Sequence, residues 1–118
     1  MTYHVEIMMM SDLHDGTLYS FDLSTLPTPQ IRIGRSDENE IAVTSDLAIS
    51  RFHAIVLWEN GNWWLQDLDS KNGTFIEYNT PLDSDQRVLG KVPLQPQQMF
   101  RVGKTWMRFQ PVEWQANV

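Results

Sequence analysis

Three short segments of this chain gather residue types that bind anions: Gly34-Arg35, Ser50-Arg51-Phe52-His53 and Ser70-Lys71-Asn72-Gly73-Thr74. Arg35 and Arg51 offer planar guanidinium forks, Lys71 a compact point charge, and Ser50 and Asn72 neutral donors. Brought together, these side chains would form a small cationic cup. A phosphate group suits such a cup, because it carries a charge of about −2 at neutral pH and several strongly accepting oxygens. Each piece also has a plain reading alone. Arg35 could be a surface residue at a strand end, and Ser50 a turn residue capping a backbone amide. Asn72-Gly73 could be turn chemistry, and Arg51 and Lys71 solubilising charges. What favours the cup is position: each segment stands where a strand-like run meets a loop.

Enzyme chemistry has less footing. His4, His14 and His53 are scattered without metal-ligand spacing, and there is no Gly-x-Ser-x-Gly elbow or Walker phosphate loop. Asp37-Glu38 and Asp83-Ser84-Asp85 lie in polar loop stretches and read as solvated charge. No nucleophile–base pair is visible. The expectation is a non-enzymatic protein with no metal and no cofactor. His53 opens an apolar run, so it reads as a structural histidine whose polar edge holds the loop carrying Ser50.

Composition narrows the class. The chain has no cysteine, which excludes disulfides, zinc ribbons, thiol catalysis and iron–sulfur clusters. A net charge of −6 and a pI near 4.8 argue against broad binding to DNA, RNA or anionic membrane. Hydrophobic residues at 42% and charged residues at 20% give a globular balance over 118 residues. Met1 to Met10 lacks a basic stretch and holds Glu6, which makes a poor signal peptide. No apolar run approaches the roughly 20 residues that cross a bilayer. One cytoplasmic domain over 1–118 is expected, monomeric by default, standing alone or heading a longer protein.

The elements that must position the cup follow from a period of two. Tyr3, Val5 and Ile7 alternate with His4 and Glu6, Thr105, Met107 and Phe109 with Trp106, Arg108 and Gln110, and Trp63, Leu65 and Asp67 with Trp64, Gln66 and Leu68. His53-Ala54-Ile55-Val56-Leu57-Trp58 is nearly all apolar and reads as a strand covered on both faces. Turn signals at Asp15-Gly16, Pro27-Thr28-Pro29, Asn60-Gly61, Asn72-Gly73, Asn79-Thr80-Pro81 and Pro93 to Pro96 recur at short intervals. Asn60-Gly61 between Trp58 and Trp63 predicts a tight hairpin. No segment shows a helical stripe. An all-β, two-sheet antiparallel sandwich of many short strands is expected, with the functional loops at one end. Trp58, Trp63, Trp64, Trp106 and Trp114 read as core and sheet cover, with sugar or base stacking as the other reading.

Taken in order, the three segments resemble the forkhead-associated (FHA) domain pattern of Gly-Arg, Ser-x-x-His and Ser-x-Asn-Gly-Thr. The flanks resemble it too: Asn39-Glu40-Ile41-Ala42-Val43, Trp63 to Leu68, and Phe100-Arg101-Val102-Gly103. The resemblance runs from about Tyr3 to Pro111. It implies a sandwich that binds phosphothreonine-containing proteins or peptides through loops at one end. On that resemblance Arg35 and Ser50 hold the phosphate, Arg51 and Lys71 assist, and Asn72 bonds the peptide backbone. Gly34, His53, Gly73 and Thr74 support the loops. Two departures stand out. Glu77 to Lys91 is longer and more polar than the family's quick turn, and is expected to reshape loops near the peptide; Gln97-Gln98 replaces a Gly-Asp turn. The alternatives are a phosphate-independent scaffold on the same fold, and a carbohydrate-binding sandwich.

Overall fold

Apolar side chains at every second position become the inner faces of two sheets. The computed structural model describes residues 2–10, 16–78 and 85–114. His14, Asp15, the Asn79-Thr80-Pro81 turn and Asp83-Ser84 lie outside the described residues, as do the side chains of Tyr3 and Trp114. In chain order the strands are β1 (Thr2–Met9), β2 (Leu18–Asp22), β3 (Gln30–Gly34), β4 (Ile41–Ala42), β5 (Ala54–Glu59) and β6 (Asn62–Asp67). They continue as β7 (Thr74–Ile76), β8 (Gln86–Arg87), β9 (Lys91–Pro93), β10 (Met99–Val102) and β11 (Thr105–Trp114). One sheet runs β2-β1-β11-β10-β7-β8 and the other β4-β3-β5-β6-β9. Among the described residues the one helical element is a single 3₁₀ turn, Leu23–Thr25.

Val5, Ile7 and Met9 of β1 pair with β11, where Met107 and Phe109 are likewise buried. They face Ile31 and Ile33 of β3, Ala54 and Val56 of β5 and Leu65 of β6 in one continuous core. The hairpin at Asn60-Gly61 forms as predicted. Both residues take positive φ, 53° and 77°, and Trp58 pairs with Trp63. Such a turn matches the twist of the flanking strands.

The expected two-sheet antiparallel sandwich is present, and two details depart from expectation. β4 runs parallel to β3, with Ile33 beside Ile41 and Gly34 beside Ala42, so the sandwich is antiparallel everywhere but at this pair. The short connection from Arg35 to Glu40 brings the chain back alongside the end of β3 in the same direction. Second, β5 is not covered on both faces. Ala54 and Val56 are buried while Ile55 and Leu57 are only half-buried, so the described residues cover the outer side of this strand only in part. Trp64 shields part of that side, with Lys91 Nζ 4.9 Å from its ring. Trp63 points the other way and meets Phe109 edge-on at 5.2 Å.

Candidate phosphate-binding site

The residues that end β3, precede β5 and precede β7 meet at one end of the sandwich. Gly34 allows this. It has no need of unusual backbone; its constraint is space. A Cβ there would stand 2.2 Å from Arg51 O and 2.7 Å from Asn39 Nδ2. Close approach lets Arg35 N donate to Ser50 O at 3.0 Å and Ser36 N to Arg51 O at 3.1 Å. The first two segments are thereby tied backbone to backbone. Gly34→Ala is expected to cost about 1–3 kcal/mol, the usual penalty of overpacking. Chemical denaturation measures it; an unchanged midpoint would show that the two loops can part without cost.

His53 ties the second segment to the third. It is fully buried. Its Nδ1 accepts from Ser50 N at 3.0 Å, and its Nε2 donates to Gly73 O at 2.9 Å. Those partners define a neutral ring protonated on Nε2. Burial holds the ring's pKa below the ordinary histidine value, against the opposing pull of Gly73 O, Asp67 and Asp46. The third segment is braced by Asp67. Its Oδ1 accepts from Ser70 Oγ at 2.6 Å and from Thr74 Oγ1 at 2.7 Å, and its Oδ2 from Ser70 N at 3.1 Å. Burial pushes the Asp67 pKa up, and these bonds outweigh it, so the net direction is down. Ser70 Oγ in turn accepts from Gly73 N at 3.0 Å. Gly73 has φ +86°, a backbone state that glycine takes without strain.

On this frame Arg35, Ser50, Arg51, Lys71 and Asn72 line a single open cleft of about 320 Å³, together with Leu47, Ala48 and Ile49. Arg35 Nε donates to Ile49 O at 3.1 Å, and its terminal amines have no partner among the described residues. Ser50 Oγ accepts from Lys71 N at 3.1 Å, which leaves its own proton to donate. Asn72 Nδ2 donates to Ala48 O at 2.8 Å, closing the third segment onto the second. Arg32, Lys91 and Arg101 each form an ion pair, with Glu40, Glu59 and Asp85. Arg35, Arg51 and Lys71 form none among the described residues. Gly34, His53, Gly73 and Thr74 stand behind the cleft and do not line it. Arg87, from the Glu77 to Lys91 stretch, packs beside the Asn72-Gly73 turn: its Nε lies 3.1 Å from where a residue-73 Cβ would be.

Sequence reasoning missed Asp46. Its Oδ1 accepts from Ala48 N at 2.9 Å, and its Oδ2 accepts from Lys104 N and Thr105 Oγ1, each at 2.8 Å. It pins the loop before Ser50 to the β10–β11 turn. Burial pushes its pKa up and these hydrogen bonds bring the net direction down. An Asp two residues before Ala48 signals a local turn, but nothing local signals a partner 58 residues away. From the sequence Asn39 reads only as a flank of the first segment. Its Nδ2 donates to both Ser36 O and Arg51 O at 2.8 Å, holding the first loop to the second.

A family model for the FHA domain matches residues 31–103. The chain is 31% identical over 87 residues to the FHA domain-containing protein FhaB of Mycobacterium tuberculosis, covering 74% of this chain and 51% of that protein. It therefore belongs to the FHA-domain family. The chain spans about half the length of the curated FhaB relatives it matches. In structure it is similar to the FHA domain of an Arabidopsis thaliana hypothetical protein, with a TM-score of 0.75 and 26% identity over 99% of this chain and 92% of that one. It is also similar in fold to Mycobacterium tuberculosis EmbR in complex with a low-affinity phosphopeptide. That match has a TM-score of 0.71 and 23% identity over 91% of this chain and 24% of that one.

Proposed function

We propose that the chain is a non-enzymatic phosphothreonine-dependent binding module that recognises a phosphorylated protein or peptide at this cleft. The observation that carries the reading is the convergence there of Arg35, Arg51 and Lys71, three cations without ion pairs among the described residues, with Ser50 and Asn72. Arg35 and Ser50 hold the phosphate, Arg51 and Lys71 add charge, and the amide of Asn72 bonds the peptide backbone. Anchoring is by charge-assisted hydrogen bonds, and neighbouring loop residues read the flanking sequence. FHA-family membership and the phosphopeptide held by EmbR support the reading. No tryptophan lines the cleft, so sugar stacking has no part in it. Among the described residues no helix is long and apolar enough to cross a membrane, and no group of His, Asp and Glu is placed to hold a metal.

Phosphothreonine and phosphoserine present the same phosphate and differ by one methyl. Preference for phosphothreonine therefore needs an apolar wall beside the phosphate, for which the aliphatic part of Asn72 and its neighbours are candidates. Burying one methyl contributes about 0.8 kcal/mol, and a shape-selective pocket up to about 1–3 kcal/mol. A pull-down from a phosphothreonine peptide library, with phosphoserine and unphosphorylated controls, tests both points. Retention of phosphothreonine peptides, weaker retention of phosphoserine and none of the unphosphorylated set is expected. Equal retention of all three would favour the phosphate-independent scaffold.

A further inference from the structure

The rim of the cleft carries one residue that phosphate chemistry does not require. Leu47 is 84% exposed, yet it lines the same concavity as Arg35 and Ser50. The chain on both sides of it is fixed. Before it, Asp46 is bound to Ala48 N, Lys104 N and Thr105 Oγ1. After it, Ala48 O accepts from Asn72 Nδ2, and Ile49 is buried against Gly103, where a Cβ would stand 2.7 Å from Ile49 Cγ1. The side chain thus cannot swing back onto the core. A lone exposed leucine needs no explanation on most surfaces. Here a large apolar group is presented by a pinned loop at the edge of a polar, cationic cleft. Whatever fills the cleft can cover it, and apolar cover is favourable.

We propose that Leu47 makes the cleft selective for phosphothreonine peptides with an aliphatic side chain within two residues of the phosphothreonine. The inference rests on the reading of the cleft as a phosphothreonine site. An extended peptide advances about 3.3 Å per residue, so only near neighbours of a seated phosphate reach a rim residue of the same cleft. Of the other apolar lining residues, Ile49 is buried and Ala48 presents a single methyl, so neither offers the apolar area that Leu47 does. Arg51 and Lys71 attract acidic neighbours and repel basic ones. An acidic preference therefore belongs to them, and an aliphatic one to Leu47.

The test measures Kd by fluorescence anisotropy for peptides varied at each position within two residues of a central phosphothreonine. Wild type, Leu47→Ser and Leu47→Asp are compared. Wild type is expected to bind Leu, Ile or Val at one flanking position about fivefold or more tighter than Ser, as partial burial of a few methylenes gives. Leu47→Ser brings that ratio to within about twofold and leaves the Ser-containing peptide within about twofold of its wild-type affinity. Leu47→Asp moves the preference at the same position toward Lys or Arg. Both variants retain the wild-type melting temperature, because the side chain is exposed. A flat wild-type profile, or one that neither variant changes, overturns the inference while leaving phosphate-dependent binding intact. So does an effect confined to the phosphothreonine-to-phosphoserine ratio, which would make Leu47 a wall of the methyl site. Failure of every phosphothreonine peptide to bind wild type overturns the reading of the cleft, and this inference with it.

Discussion

Arg35→Ala is expected to weaken binding of a phosphothreonine peptide at least about tenfold. The side chain is already oriented: Nε donates to Ile49 O, and the terminal amines have no partner among the described residues. A hydrogen bond between charged partners contributes about 1.5–3 kcal/mol, and tenfold in affinity is about 1.4 kcal/mol. The variant removes up to two such bonds and the local charge together. Arg35→Lys keeps the charge but loses the planar fork and the bond to Ile49 O, so an intermediate loss is expected. Ser50→Ala removes one neutral donor and costs a few-fold. Stability should fall in Arg35→Ala by only about 0.5–1.5 kcal/mol, the contribution of the single bond to Ile49 O. Calorimetric titration with one peptide across these variants measures the order. An affinity unchanged in Arg35→Ala would remove this residue from the site.

His53→Ala is expected to lower stability by about 3–5 kcal/mol. Two buried backbone groups, Ser50 N and Gly73 O, lose their partner, at about 1–3 kcal/mol each, and an imidazole-sized cavity adds to that. Affinity falls as a consequence, because the loops carrying Ser50 and Asn72 are no longer joined through the core. Denaturant titration reads the loss. A variant of wild-type stability that fails to bind would instead place His53 against the ligand.

The same ring gives stability a pH dependence of defined sign. Its pKa in the folded protein lies below the ordinary value of 6.5, so over the interval between the two the unfolded chain holds the extra proton. Stability is therefore full above about pH 6.5 and declines as pH falls from there through the folded-state value. A second decline follows at lower pH. Asp46, Asp67 and Glu40 have pKa values below their ordinary 3.8, 3.8 and 4.5, and lose their folded-state advantage as they are protonated. In His53→Ala the first decline is expected to vanish and the second to remain.

How far the sequence discloses this arrangement depends on the range of each interaction. Strands β1, β6 and β11 are legible because alternation is local and one face of each is buried. The hairpin at Asn60-Gly61 is legible for the same reason, since two residues determine it. The parallel pairing of β4 is not, because two residues carry no period and the partner is chosen by the connection. Nor does the apolar run of β5 say which side is covered; that depends on which face, that of Ala54 and Val56, packs against the other sheet. At the site, the three polar segments are readable as types and spacings. Their joining is not, because it runs through contacts between distant residues. His53 reaches Gly73, Asn72 reaches Ala48, and Asp46 reaches Lys104.

The most direct test is a calorimetric titration of the wild-type chain with one phosphothreonine peptide and its unphosphorylated twin, repeated with Arg35→Ala. A phosphate-binding cleft at this end of the sandwich predicts saturable binding of the phosphorylated peptide, none of the twin at the same concentrations, and at least about a tenfold loss in the variant. Equal binding of the two peptides by the wild type, with no change in Arg35→Ala, would contradict it.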